Sequence, residues 1–153
     1  MIPEFDRFGI LPVGIHWASW QEFAKRFGTN SRRRKLIAGL KRAIADLRKA
    51  GCQAVFVNGS FVTAKDLPGD FDACWSVEGV DPDLLDPVLL DFSNGRAAQK
   101  AKYGGELFPA ELMEGASRKL FLDFFQVDKN TGQPKGIVGL RLKQPRKKKT
   151  QRE

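Results

Sequence analysis

The stretch "VNGSFVTAKDLPGDFDACW" (residues 57–75) decides how this chain folds. It leaves an apolar strand through a Gly-Ser pair, crosses a loop, and enters a second strand at two aspartates. Nine residues separate Ser60 from Asp70, and Phe71 alone separates Asp70 from Asp72. "QAVFVN" (53–58) reads as a buried strand by its β-branched and aromatic content. "FDACWS" (71–76) reads as a second strand with alternating faces. Residues i and i+2 of a strand share a face, so Asp70 and Asp72 present two carboxylates together while Phe71 is buried opposite. Carboxylates so close repel strongly unless a cation sits between them. Magnesium suits that place, because it prefers oxygen ligands, keeps several waters and bridges to substrate phosphates. Gly59 permits a tight turn, and Ser60 offers its hydroxyl and backbone N–H groups to a phosphate. Thr63 and Lys65 lie in the same loop and can touch the phosphates, although a loop lysine is more often merely solvated.

A third carboxylate would complete a two-metal arrangement and activate an attacking hydroxyl. "RKLFLDFFQVD" (118–128) reads as a third strand, and Asp123 is its candidate: one acid among Phe121, Leu122, Phe124 and Phe125 is costly without a metal or hydrogen-bond partners. On an edge strand Asp123 would instead alternate outward to solvent. Asp128 is the weaker alternative, since Lys129, Asn130 and Gly132 beside it mark the start of a turn.

Working outward, residues 8–18 read as an irregular opening segment broken by Gly9, Pro12 and Gly14. "SWQE" (19–22) fits a capping box, and the helix it starts stops near Gly28. In residues 31–50, Leu36, Ile37, Leu40, Ala43, Ile44 and Leu47 recur at three- and four-residue spacing and draw one apolar stripe. Asn30 or Ser31 caps that helix and Gly51 ends it, leaving Arg32, Arg33, Lys41 and Arg48 on a cationic face. "DPDLLDPVLLDF" (81–92) and "GRAAQKAKY" (95–103) read as helices, and "IVGLRL" (137–142) as an edge strand. The expected fold is α/β (α+β): one domain with a small mixed sheet flanked by helices. Its parts are an N-terminal segment with a short helix (1–30), the main domain (31–140) and a basic disordered tail (141–153).

The chain has 153 residues, 42% apolar and 29% charged, which suits a soluble globular domain with one core. No apolar run reaches the roughly 20 residues that span a bilayer. The N-terminus lacks the pattern of a signal peptide. His16 is the only histidine and Cys52 and Cys74 the only cysteines, which excludes a standard zinc cluster and a His-dependent triad. Two lone thiols read as buried groups in a reducing cytoplasm. The net charge of +8 is uneven: residues 31–50 carry +7, residues 51–140 carry −5, and the tail carries +6. An acidic middle between basic flanks is expected where metals bind centrally and a polyanion is held at the sides. Basic faces and tails also serve solubility alone.

The stretch 57–75 resembles the signature of the DNA polymerase β-like nucleotidyltransferase superfamily: apolar strand, Gly-Ser, loop, then Asp-apolar-Asp. The small size is similar to that of the minimal nucleotidyltransferases, which include toxins and antitoxins of bacterial and phage defence modules. The likeness covers roughly residues 33–127. It implies that Gly59 and Ser60 hold the triphosphate of an NTP such as ATP, and that Asp70 and Asp72 bind Mg2+, with Asp123 as the third carboxylate and two ions in all. The implied reaction moves a nucleoside monophosphate onto a hydroxyl and releases pyrophosphate. RNA, most specifically a tRNA end, is the expected acceptor for a toxin-like protein. A protein hydroxyl on a cognate toxin, modified by an antitoxin, is the alternative, and a catalytically inert nucleic-acid or partner-binding module is a third. Larger members carry a further helical domain that helps hold base and acceptor; 30 residues follow Asp123 here, so the resemblance fixes neither base selectivity nor acceptor identity.

Overall fold

The computed structural model describes residues 1–142; the expected disordered tail falls on residues outside these, apart from Arg141 and Leu142. The chain forms β1 (Gly14–Ala18), α1 (Trp20–Phe27), α2 (Ser31–Lys49) and β2 (Ala54–Asn58). A single 3-10 turn, Gly59–Val62, leads on towards β3 (Phe71–Trp75). Then come a second 3-10 turn (Pro87–Leu90), α3 (Ser93–Tyr103), β4 (Gly105–Pro109), α4 (Phe121–Phe124) and β5 (Gly136–Arg141). The five strands make one mixed sheet in the order β1-β5-β2-β3-β4, so the described residues form a single α/β domain. The outer pairs β1–β5 and β3–β4 are parallel, and β2 runs antiparallel to both of its neighbours.

The long helices form where the sequence places caps. Ser19 Oγ accepts from the Glu22 N–H at 3.1 Å, and Asn30 Oδ1 accepts from the Arg33 N–H at 2.8 Å. Glu22 does not reach back to Ser19 as in a reciprocal box; its carboxylate accepts from the Ile2 N–H at 2.7 Å and ties down the N-terminus. The stripe of α2 is buried at Leu36, Ile37, Leu40, Ala43 and Leu47. It packs with Phe23 and Phe27 of α1 against Val55, Val57, Phe71, Ala73 and Leu107 of the sheet. A smaller cluster on the opposite face joins Phe56, Cys74, Ala110 and Ile137, with Phe121, Leu122 and Phe125 packed over it.

Four local expectations are corrected. Residues 14–18 are not irregular: they form β1, paired along β5 from Gly14↔Gly136 to Ala18↔Leu140. Residues 81–92 make turns and a 3-10 helix, because Pro87 lacks an N–H and Asp86 caps the Val88 N–H at 2.9 Å. Residues 118–128 are not a strand. Phe121 and Phe125, one helical turn apart, both pack on the Phe108 ring, with centroids at 4.7 and 5.6 Å, and that contact favours α4. Finally, β5 lies between β1 and β2 and is buried at Ile137, Val138 and Leu140, so it is no edge. β4, which no pattern in the sequence announces, takes an outer place beside β3.

Candidate active site

The site begins where β2 ends. Asn58 pairs with Asp72 in the β2–β3 ladder, which sets the turn after Asn58 against the start of β3. Gly59 adopts φ +73°, in the left-handed region. A Cβ built there would lie 2.3 Å from Asp72 Oδ2, so the carboxylate occupies the space a side chain would fill. Thr63 shapes the loop from within: its hydroxyl donates to the Ser60 carbonyl at 2.7 Å and accepts from the Lys65 N–H at 3.2 Å.

Arg33, expected on the exposed face of α2, is only 3% exposed. Its guanidinium donates to the carbonyls of Phe27 (3.3 Å), Phe61 (2.7 Å), Thr63 (2.9 Å) and Lys65. Burial lowers its pKa from the usual arginine value, with the charge of Asp66 acting in the opposite direction. A cation that collects four carbonyls fixes the path of the loop behind Ser60. Arg33 is therefore a positioning residue that charge patterning alone does not reveal.

Asp72 faces the side of the sheet away from α1 and α2, and Glu106 of β4 stands directly across from it in the parallel β3–β4 register. Burial first, then the charges of Asp70 and Glu106, push the Asp72 carboxyl up to about 7. Burial and Glu106 also raise Asp70, while Lys100, Arg32 and Lys129 pull it back. Burial works against ionised Glu106 too, yet hydrogen bonds from Lys100 and Arg96 outweigh it and hold this carboxyl below its ordinary value. Both cations reach Glu106 Oε1 at 3.1 Å. Arg96 does so from a left-handed backbone, φ 62°. Beside this group the Asn58 Oδ1 is buried with no hydrogen-bond partner.

A cavity of about 760 Å3 opens over these groups. It brings together the expected Gly59, Ser60, Thr63, Lys65, Asp70 and Asp72. Asp123 does not line it; that residue is exposed on α4. The acid across from Asp72 is Glu106, which lines the cavity where Asp123 does not. Asp128 lines the cavity but is engaged in a turn, accepting from the Thr131 N–H and hydroxyl at 3.0 and 2.8 Å. Lys119, Lys129 and Lys135 add positive charge to the walls, and Phe124 and Phe125 add aromatic surface. Burial lowers the Lys135 pKa, against the pull of Asp128 and Asp72.

Compared with known proteins, residues 3–141 match one family along their whole length. The chain belongs to DUF6932, a family of unknown function. No curated protein and no solved structure matches it. The span shared with DUF6932 includes all five strands and every residue of the cavity. Among the described residues, no three His, Cys, Asp or Glu side chains are arranged to hold a metal ion by themselves. Magnesium makes no such demand: one or two carboxylates, waters and substrate phosphates complete its shell. The like-charged pair Asp70 and Asp72, with Asp72 driven toward its neutral form first by burial and then by the charges of Asp70 and Glu106, fits that partial donor set.

Proposed function

We propose that this protein is a magnesium-dependent nucleotidyltransferase of the DNA polymerase β-like kind, moving a nucleoside monophosphate from an NTP to a hydroxyl of RNA. One observation carries the reading: the Asn58↔Asp72 pairing sets the Gly59-Ser60 turn over the Asp70/Asp72 pair within a single cavity. Magnesium, when bound by Asp70 and Asp72, would neutralise charge on the transferring phosphate. Ser60 and Lys65 bind the triphosphate, and Lys119, Lys129 and Lys135 offset its remaining charge. The acceptor oxygen forms a new bond to the α-phosphorus as the bond to the bridging oxygen of the β-phosphate breaks, and pyrophosphate departs. The acceptor's proton passes to Glu106, the carboxylate across from Asp72 that is not assigned to the metal. The aromatic wall at Phe124 and Phe125 offers the base a stacking surface. The +7 of residues 31–50 supports RNA as acceptor, and the two buried free thiols, Cys52 and Cys74, support a reducing cytoplasm as its compartment. No helix of the described residues is long and apolar enough to cross a membrane.

The test is pyrophosphate release from each NTP with Mg2+ and bulk RNA. Release by the wild type that disappears in Asp70→Asn and Asp72→Asn supports the reading. Equal release by the variants would remove these residues from the chemistry.

A further inference from the structure

A second cavity, of about 420 Å3, lies on the other side of Asp70. Four cations line it: Arg32, Lys35 and Arg42 of α2 and Lys100 of α3. The three from α2 stand at helical spacing on one face, with Gly39 between them. A Cβ at Gly39 would sit 1.7 Å from the Tyr103 carbonyl oxygen, so this glycine lets the end of α3 close against α2 and completes the pocket. Arg32 donates to the carbonyls of Pro68 (3.1 Å) and Gly69, which fixes its guanidinium beside Asp70. Arg42 donates to the Lys102 carbonyl at 3.4 Å. Among the described residues no carboxylate forms an ion pair with Arg32, Lys35 or Arg42. Lys100 is the exception, paired with Glu106 at 3.1 Å, and this pair together with Asp70 forms the wall between the two cavities.

We propose that this cationic cavity seats a backbone phosphate of a single-stranded nucleic-acid acceptor, bringing the strand's terminal hydroxyl to Asp70 from the side opposite the nucleotide. Arginines held by backbone carbonyls keep further N–H donors for phosphate oxygens, and Lys35 adds a point charge at the rim. A protein acceptor offers no such anion at a fixed distance from its reactive hydroxyl, so the pocket favours RNA over a protein side chain. The positioning role rests on the nucleotidyl-transfer reading; the phosphate site does not.

The test measures binding of a fluorescently labelled single-stranded RNA of roughly ten nucleotides to the full chain, without NTP, over a salt series. Lys35→Gln/Arg42→Gln removes two exposed charges from the cavity. Lys25→Gln/Lys49→Gln removes two exposed charges elsewhere and serves as control. The cavity variant is expected to bind roughly tenfold more weakly at low salt, with a salt slope shallower by about 0.7 for each RNA phosphate it no longer neutralises. The control should change by less than about threefold. Thermal stabilisation by Mg2+ and ATP should be the same in all three proteins, because the nucleotide lies in the other cavity. Equal weakening in both variants, or none in the cavity variant, would overturn the site. RNA binding as expected in a wild type that transfers no nucleotide would count against the enzymatic reading and leave the phosphate site standing.

Discussion

Replacing Asp72 by asparagine tests the electrostatics of the site without any substrate. In the metal-free protein, burial and then the charges of Asp70 and Glu106 push this carboxyl up to about 7, against about 3.9 in an unfolded chain. The folded state thus holds the proton more tightly than the unfolded state does. The stability this confers is fully present below about pH 4 and is lost as the pH rises through about 7. A gap of about three pH units corresponds to at most ~4 kcal/mol, and solvent screening around a half-buried group reduces it to roughly 1–3 kcal/mol. Asparagine does not titrate, so Asp72→Asn escapes the loss. The variant should be the more stable protein at pH 8, by about 2–4 °C in Tm per kcal/mol, and the difference should close toward pH 4. Saturating Mg2+ at pH 8 should narrow it by stabilising the wild type alone. Thermal unfolding from pH 4 to 8, with and without Mg2+, reads all three effects. A metal-free wild type as stable as the variant at pH 8 would refute the reasoning.

Gly59→Ala places a methyl group 2.3 Å from Asp72 Oδ2 on a left-handed backbone; it should cost about 1–3 kcal/mol of stability in denaturant titration and abolish stabilisation by Mg2+ and ATP. Arg33→Met strips four carbonyls of their shared donor; a loss of about 2–4 kcal/mol is expected, with KM for NTP rising more than kcat falls. Glu106→Gln should lower transfer by at least about tenfold, whereas Asp123→Asn, on the exposed side of α4, should leave both turnover and Tm unchanged.

The parts of the site that lie close together in sequence were legible there. Gly59, Ser60, Asp70 and Asp72 belong to one strand–turn–strand unit and line one cavity, but Asp70 lies in the bend before β3 and not on the strand, so the loop rather than i, i+2 alternation places it beside Asp72. Glu106 was not legible, because it meets Asp72 only through the pairing of β3 with β4, and "GELFP", bounded by Gly and Pro and without a β-branched residue, does not announce a strand. Arg33 stands in a run of three arginines; its three- and four-residue steps to Leu36 and Ile37 put it on the buried stripe and were the available sign that it turns inward, while Arg32 and Arg34 reach loop carbonyls from more exposed positions. Asp123 was misplaced because a run of large apolar residues satisfies both a strand and a helical turn. The four-residue spacing of Phe121 and Phe125 was the available sign of the helix. For β5, a short apolar segment before a basic tail resembles an edge, and its central place follows only from where β1 and β2 bind it.

The central claim is that the α-phosphate of an NTP ends on another molecule. The most direct measurement incubates the full chain with each α-32P-labelled NTP, Mg2+ and bulk RNA alongside cell lysate, and resolves the products on denaturing gels. The predicted result is label joined to RNA, with an equal amount of pyrophosphate released, and none with Asp70→Asn. Label on a protein instead would contradict the RNA acceptor, and no transferred label with any NTP, from a protein that unfolds cooperatively, would contradict nucleotidyl transfer itself.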